Sequence, residues 1–327
     1  MPIDSPSRRR LALGLAGASL GLPALRTAAQ DYPARPIRLV VPTPAGSGPD
    51  ADARQMAVRL APLLGQPVVI ENRPGAAARI ATEFVARSAP DGYTLLVGTP
   101  SLATAPALYA SLPYDVRRDL VPVSLVSTTA YALTINAAVP AAGLADYVRL
   151  ARTDAAYANI GTYGIGTIPH LAGAWFGSVS GSPLKFIHYN TTPPFNDLLA
   201  GQTQGLFDAL LPVMGHVRAH RLRPLAISGR SRHPLFPDTP TFAEAGHPGY
   251  DPMVWIGVLA PAGTPQPVVQ RLAAAIAQVA RRPDIVEQRR STVSESVGST
   301  PEEFSAFLDT ERQKWSAVIQ RTGVRLE

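Results

Sequence analysis

Leu39-Val40-Val41-Pro42-Thr43-Pro44-Ala45-Gly46-Ser47-Gly48-Pro49-Asp50 passes from an apolar run, through a turn of small residues, into a stripe of apolar positions reaching Leu64. Ile37 to Val41 is largely β-branched and lies between prolines, which predicts a buried strand. Ala53, Met56, Leu60 and Leu63 recur at helical spacing, with Asp50 near the start and Pro62 placed to kink the last turn. Between the two elements, Gly46, Ser47 and Gly48 let backbone N–H groups approach a ligand, and a helix N-terminus favours negative charge. The stretch therefore predicts an anion cradle at the end of a strand.

Upstream, Ser7-Arg8-Arg9-Arg10-Leu11 opens a basic region, Leu11 to Leu25 is apolar, and Thr27-Ala28-Ala29 has the small residues of a cleavage site. This is the layout of a secretory leader of the twin-arginine kind, with residues 1–29 removed and the mature chain starting near Gln30. An apolar run of about 15 residues is shorter than the roughly 20 that span a bilayer. With no cysteine there is neither a lipid anchor nor a disulfide. The expected location is the periplasm, and an exported anion cradle points to a receptor for small carboxylates before it points to a nucleotide enzyme.

The 327-residue chain is long enough for two α/β lobes. Four arginines and Asp4 fall in the leader, which halves the net charge of +6. Lys185 and Lys314 are the only lysines, and the arginines are scattered with no basic stripe interleaved with aromatics. That pattern excludes nucleic acid as a partner. At 46% hydrophobic and 17% charged the composition is that of a globular protein.

Strands alternate with helices. Val68 to Ile70 and Tyr93 to Val97 read as strands, Ala77 to Ser88 as a helix, and Val121 to Val126 and Ala132 to Ile135 as two further strands. Later strands are expected at Phe186 to Tyr189, Gly205 to Asp208, Leu225 to Ser228 and Trp255 to Leu259. Helices are expected from Pro169 through Phe176 and from Pro194 to Leu199. The alternation argues for a doubly wound α/β layer. Two C-terminal helices come next, one behind Thr264-Pro265 and one opened by the capping box Thr300-Pro301-Glu302-Glu303. Packed back on the first lobe, they make it discontinuous: residues 31–126 with 253–327, and 127–252 for the second lobe.

Motifs in order along the chain resemble one family. They include IENRPGA (Ile70 to Ala76), APDGYTLLVGT (Ala89 to Thr99), ALYASLPYD (Ala107 to Asp115) and GTIPHLAG (Gly166 to Gly173). FPDTPTFAEAGHPGY (Phe236 to Tyr250), LAPAGTP (Leu259 to Pro265) and GSTPEEF (Gly298 to Phe304) continue the series. The chain resembles the solute-binding receptors of tripartite tricarboxylate transporters, the Bug-type periplasmic receptors. The resemblance implies a two-lobed α/β fold like that of type II periplasmic binding proteins. Each lobe is then a mostly parallel sheet flanked by helices, with two crossover segments between them. It implies a small carboxylate ligand (organic acid, amino acid or aromatic acid) and the transporter's membrane subunits as partners, with no cofactor, no metal and no catalytic residue.

Carried onto this sequence, the ligand-binding residues are Thr43, Gly46, Ser47, Gly48 and Asp50 in the first loop, with Tyr163, Gly164, Thr167 and His170 in a facing loop. Thr99, Ser101, Tyr189 and Asp208 complete the set. The sequence departs from the family where Thr43, Ala45, Gly46 and Ser47 replace an aromatic residue, a proline and two glycines, and where Asn190-Thr191 replaces Lys-Gly. These departures fall at the ligand contacts. His170 either lines the cleft or packs between lobes; Asp208 either meets ligand-bound water or caps the next turn. His216 and His220 sit four apart but lack a third metal ligand, so they read as a surface pair. No G-x-S-x-G elbow or P-loop is present, which leaves an exported hydrolase with a dispersed triad as the enzyme alternative. A ligand sensor coupled to a membrane signalling protein is the other alternative.

Overall fold

The computed structural model describes residues 32–189 and 192–326. The leader, Asn190, Thr191 and Glu327 lie outside the described residues, and the expected export signal lies outside with them.

Ten strands are present among the described residues: β1 (Ile37–Val41), β2 (Val68–Asn72), β3 (Thr94–Gly98), β4 (Leu120–Asn136), β5 (Asn159–Thr162), β6 (Lys185–His188), β7 (Gly205–Ala209), β8 (Leu222–Ile227), β9 (Met253–Pro261) and β10 (Ser294–Ser296). They form one mixed sheet in the order β2-β1-β3-β9-β4-β7-β5-β6, with β8 and β10 also paired to β4. β1 runs parallel to β2 and β3, and β5 runs parallel to β6 and β7. β9 is antiparallel to both β3 and β4. The parallel strand β3 is buried along its whole length, as a strand covered on both faces must be.

The sequence predicts two strands at 121–126 and 132–135, whereas the structure makes them one 17-residue strand. Ser127, Thr128, Thr129 and Ala130 interrupt the apolar pattern but contain no turn former, and they pair with Ile256, Trp255, Val254 and Met253.

The register fixes where a ligand can sit. β3 ends at Gly98, level with Gly257 and, through it, with Leu125 of β4. β7, running the opposite way, ends with Asp208 and Ala209 level with Ala132 and Tyr131. The carboxyl ends of both half-sheets therefore converge on the β4 segment between Leu125 and Tyr131, about 20 Å of strand. In open α/β sheets the crevice beyond strand carboxyl ends is the ligand position.

The helices that carry or support this crevice are α1 (Gly48–Leu64), α2 (Arg79–Ala86), α3 (Ser101–Leu108), α4 (Val116–Asp119), α5 (Leu144–Thr153), α6 (Ile168–Ser180), α7 (Phe195–Leu199), α8 (Met214–Arg218), α9 (Gln266–Ala280), α10 (Pro283–Ser291) and α11 (Pro301–Thr322). Three helices come after β9, not the expected two; α10 escapes the periodicity argument because Ile285 is its one buried side chain. α11 opens with the predicted capping box: Thr300 Oγ1 accepts from Glu303 N, and Glu303 Oε2 accepts from Thr300 N. It buries Phe304, Leu308, Trp315, Val318 and Ile319. Phe304 packs against Gly257, where a Cβ would have no room.

The helix expected from Ala77 begins two residues later. Ala76, Ala77 and Ala78 have φ of 47, 52 and 74°, a left-handed turn that costs an L-residue roughly 1–2 kcal/mol. Ala78→Gly is expected to relieve this strain, offset partly by a more flexible unfolded chain, for a net gain of about 0.5–1 kcal/mol. A rise of roughly 1–3 °C in melting temperature is the check, and a fall would contradict the left-handed assignment.

Candidate ligand cleft

β1 delivers the first loop and α1 receives it. Gly46 has φ 82°, and Ser47, the residue before the helix, has φ −71° and ψ 164°. The Ser47 hydroxyl bonds Thr43 Oγ1 at 2.6 Å instead of capping its own helix. Pro49 has no N–H, so the amides of Gly48 and Asp50 are the donors that the helix start leaves open.

Asp50 is 1% exposed and its carboxylate is spent within the loop. Oδ2 accepts from Gly46 N at 2.8 Å and Arg54 Nε at 2.9 Å, and Oδ1 accepts from Asn72 Nδ2 at 2.8 Å. The Arg54 hydrogen bond, helped by Asn72 and Gly46, holds the carboxyl down to about 2 against the opposing effect of burial. Asn72 also donates to Thr43 O at 3.0 Å, which pins the loop's other end.

β5 and α6 repeat this construction. Gly166 has φ 76°, and Thr167 has φ −69° and ψ 157°. Pro169 stands where Pro49 stands, and His170 Nδ1 accepts from Gly166 N at 3.1 Å as Asp50 accepts from Gly46. The Thr167 hydroxyl donates to Gly164 O at 2.8 Å and leaves the α6 start uncapped, so the amides of Ile168 and His170 remain as donors. Gly46-Ser47-Gly48-Pro49-Asp50 and Gly166-Thr167-Ile168-Pro169-His170 are thus one local structure used twice. The shared Gly-hydroxyl-x-Pro pattern is the signal by which sequence alone would reveal the match.

The braces differ in charge. His170 is 6% exposed, with its ring 4.9 Å from both Phe186 and His188. Burial, reinforced by His188, pulls it down to about 4, so it is a neutral acceptor at physiological pH. Neither loop, 43–50 or 163–170, contains a lysine or arginine. The donors that the loops themselves offer an anion are backbone amides and hydroxyls.

Tyr163 Oη donates to Asp208 Oδ2 at 2.6 Å, and Ala209 N donates to Asp208 Oδ1 at 2.7 Å. Burial pushes the Asp208 carboxyl up to about 6, against these two hydrogen bonds. Burial and the neighbouring Asp208 raise the Tyr163 hydroxyl. Thr99 and Ser101 lie half-buried where β3 enters α3. The Tyr189 hydroxyl donates to Asp197 Oδ2 of α7 at 2.6 Å. Residues that the motifs alone do not single out are Asn72 and Arg54 behind the first loop, and the Thr162–His188 pair (Oγ1 to Nδ1, 2.7 Å) behind the second. A groove of about 930 Å³ between α3, α4 and α11 touches none of the expected ligand residues.

Among the described residues no helix is long and apolar enough to cross a membrane. The model of the tripartite tricarboxylate transporter family receptor matches residues 52–324. Protein BugT of Bordetella pertussis is 34% identical over 318 residues, covering 96% of this chain and 97% of that protein. The solved structure of Rhodopseudomonas palustris Rpa4515 with adipate is 31% identical with a TM-score of 0.79, covering 90% of this chain and 99% of the other. MatC from the same organism with bound malate is 28% identical with a TM-score of 0.76, covering 88% and 100%. The fold is the two-lobed α/β fold of periplasmic binding proteins, with β4 and β9 as its crossover strands. The chain belongs to the tripartite tricarboxylate transporter receptor family.

Proposed function

We propose that this receptor closes two lobes, residues 31–126 with 253–327 and residues 127–252, around one small carboxylate and delivers it to the membrane subunits of a transporter. The observation that carries this reading is the repeated helix start. Gly48 and Asp50 on α1, and Ile168 and His170 on α6, offer amides at the carboxyl ends of strands that converge on the same part of β4. The carboxylates held by Rpa4515 and MatC support the same ligand class. Thr43, Thr99, Ser101, Tyr163 and Asp208 would contact the rest of the ligand, and Asp50, His170 and Tyr189 would act from behind.

The test is a thermal-shift screen on protein unfolded and refolded to strip bound solute. Adipate, malate and aromatic acids are compared with their amides. A ligand at 100 times its dissociation constant adds about 2.7 kcal/mol of stability, a clear shift. Ser47→Asp is expected to abolish the shift, because it sets a carboxylate at the helix start, while the unliganded melting temperature holds or rises. An amide as effective as its acid, or a full response from Ser47→Asp, would overturn the mechanism.

A further inference from the structure

The two ligand loops share a backbone but not their support. Gly46 has no neighbouring atom within 4 Å of where a Cβ would be, and its loop is held by the Asp50, Arg54 and Asn72 hydrogen bonds. The second loop has the neutral His170 in the corresponding place, with the Thr167–Gly164 and Tyr163–Asp208 hydrogen bonds beside it, and it contains two glycines at positive φ, Gly164 (124°) and Gly166 (76°). Such a segment has much backbone freedom to lose on ordering.

The chain's last residues add a contact that the first loop lacks. Beyond α11, Gly323 turns the backbone at φ 70°, and Leu326 N donates to Leu108 O at 2.9 Å at the end of α3. Leu326 then lies on the second loop: a Cβ on Gly166 would be 2.7 Å from Leu326 Cδ1, 3.3 Å from its Cγ and 3.4 Å from Leu108 Cδ1. Gly166 is gripped from inside by His170 and from outside by Leu326. The same helix α11 braces α6 further along, where Trp315 meets Trp175 with ring centroids 5.9 Å apart.

We propose that Leu326 is a positioning residue for ligand binding: the C-terminal tail, carried by the proposed first lobe, latches the Gly164–Thr167 loop of the second in its ligand-ready form through an apolar contact that spans the two lobes. Affinity then depends on the final residues of the chain, which touch no ligand. The latch rests on the proposed receptor function for its effect on affinity, but not for its effect on the loop.

Leu326→Ala in the full chain tests it by amide hydrogen exchange without ligand. Peptides covering 163–168 are expected to exchange roughly tenfold faster, while those covering 43–50 and β4 are unchanged and Leu326→Met restores protection. Adipate affinity is expected to fall by roughly tenfold in Leu326→Ala, the change that matches partial loss of one leucine's burial. Unaltered exchange at 163–168, or an equal rise across the whole chain, would overturn the latch. Where wild type fails to bind adipate, the receptor reading with this probe fails and the exchange result alone decides the latch.

Discussion

A chain ending at residue 300 is expected to lose its native fold. Removing α11 uncovers the partners of Phe304, Leu308, Trp315, Val318 and Ile319, all nearly inaccessible in the structure. Each such side chain contributes roughly 1.5–3 kcal/mol, or about 8–15 kcal/mol for the five, against a total stability of about 5–15 kcal/mol for a typical domain. The loss is not local. Phe304 covers Gly257 in the centre of the sheet, Trp315 packs on Trp175 of α6, and Glu311 accepts from Trp315 Nε1 at 3.0 Å in the same interface. Size-exclusion chromatography and a melting curve are the check. A truncated monomer that melts cooperatively near the wild-type temperature would show that α11 is an appendage.

Asp50→Ala is expected to cost about 2–3 kcal/mol, the range for removing hydrogen bonds to a buried charged acceptor. Gly46 N loses its partner and Asn72 Nδ2 keeps only Thr43 O, whereas the half-exposed Arg54 turns to water and adds little. The effect has a defined pH window. The folded carboxyl lies at about 2, below its ordinary 3.8, so its contribution is present above pH 4 and is lost as pH falls from 4 toward 2. The stability gap between wild type and Asp50→Ala, read from urea midpoints, is therefore expected to narrow over that interval. A gap that persists undiminished to pH 2 would mean that the carboxylate network is not what the alanine removes. Carboxylate affinity should fall with the loop's order, which separates this variant from Ser47→Asp, where affinity is lost and stability does not fall.

The parts of the fold written locally were legible. Ile37 to Leu64 announces strand, turn and helix because burial pattern, glycine and proline all agree there. Thr300 to Glu303 announces α11 because a capping box is a contact between near neighbours. What stayed hidden depends on distant partners. Ser127 to Ala130 is strand because β9 comes to lie beside it from more than a hundred residues away. Three alanines in left-handed backbone contradict the best helix former's own preference, so only the surrounding packing can impose them. At the site, glycines and prolines marked both loops, but the division of labour did not show. The sequence offers Asp50 as a ligand contact, and the structure turns its carboxylate inward onto Gly46, Arg54 and Asn72. Nor could spacing reveal that Leu326 reaches Gly166.

The placement of β9 also governs how the molecule is made. β3 meets β9 through Gly98 and Gly257, so the inner edge of the first half-sheet has no partner until the ribosome has added about 160 more residues. At roughly 5–20 residues per second that is about 8–30 s during which Leu96 and Val97, buried in the finished sheet, sit on an open strand edge. The intervening 127–252 segment completes β5 to β8 first and has β4 to build on. The half-sheet translated first is thus the one whose pairing is completed last. The newborn protein therefore carries an open strand edge in its first part until β9 is made.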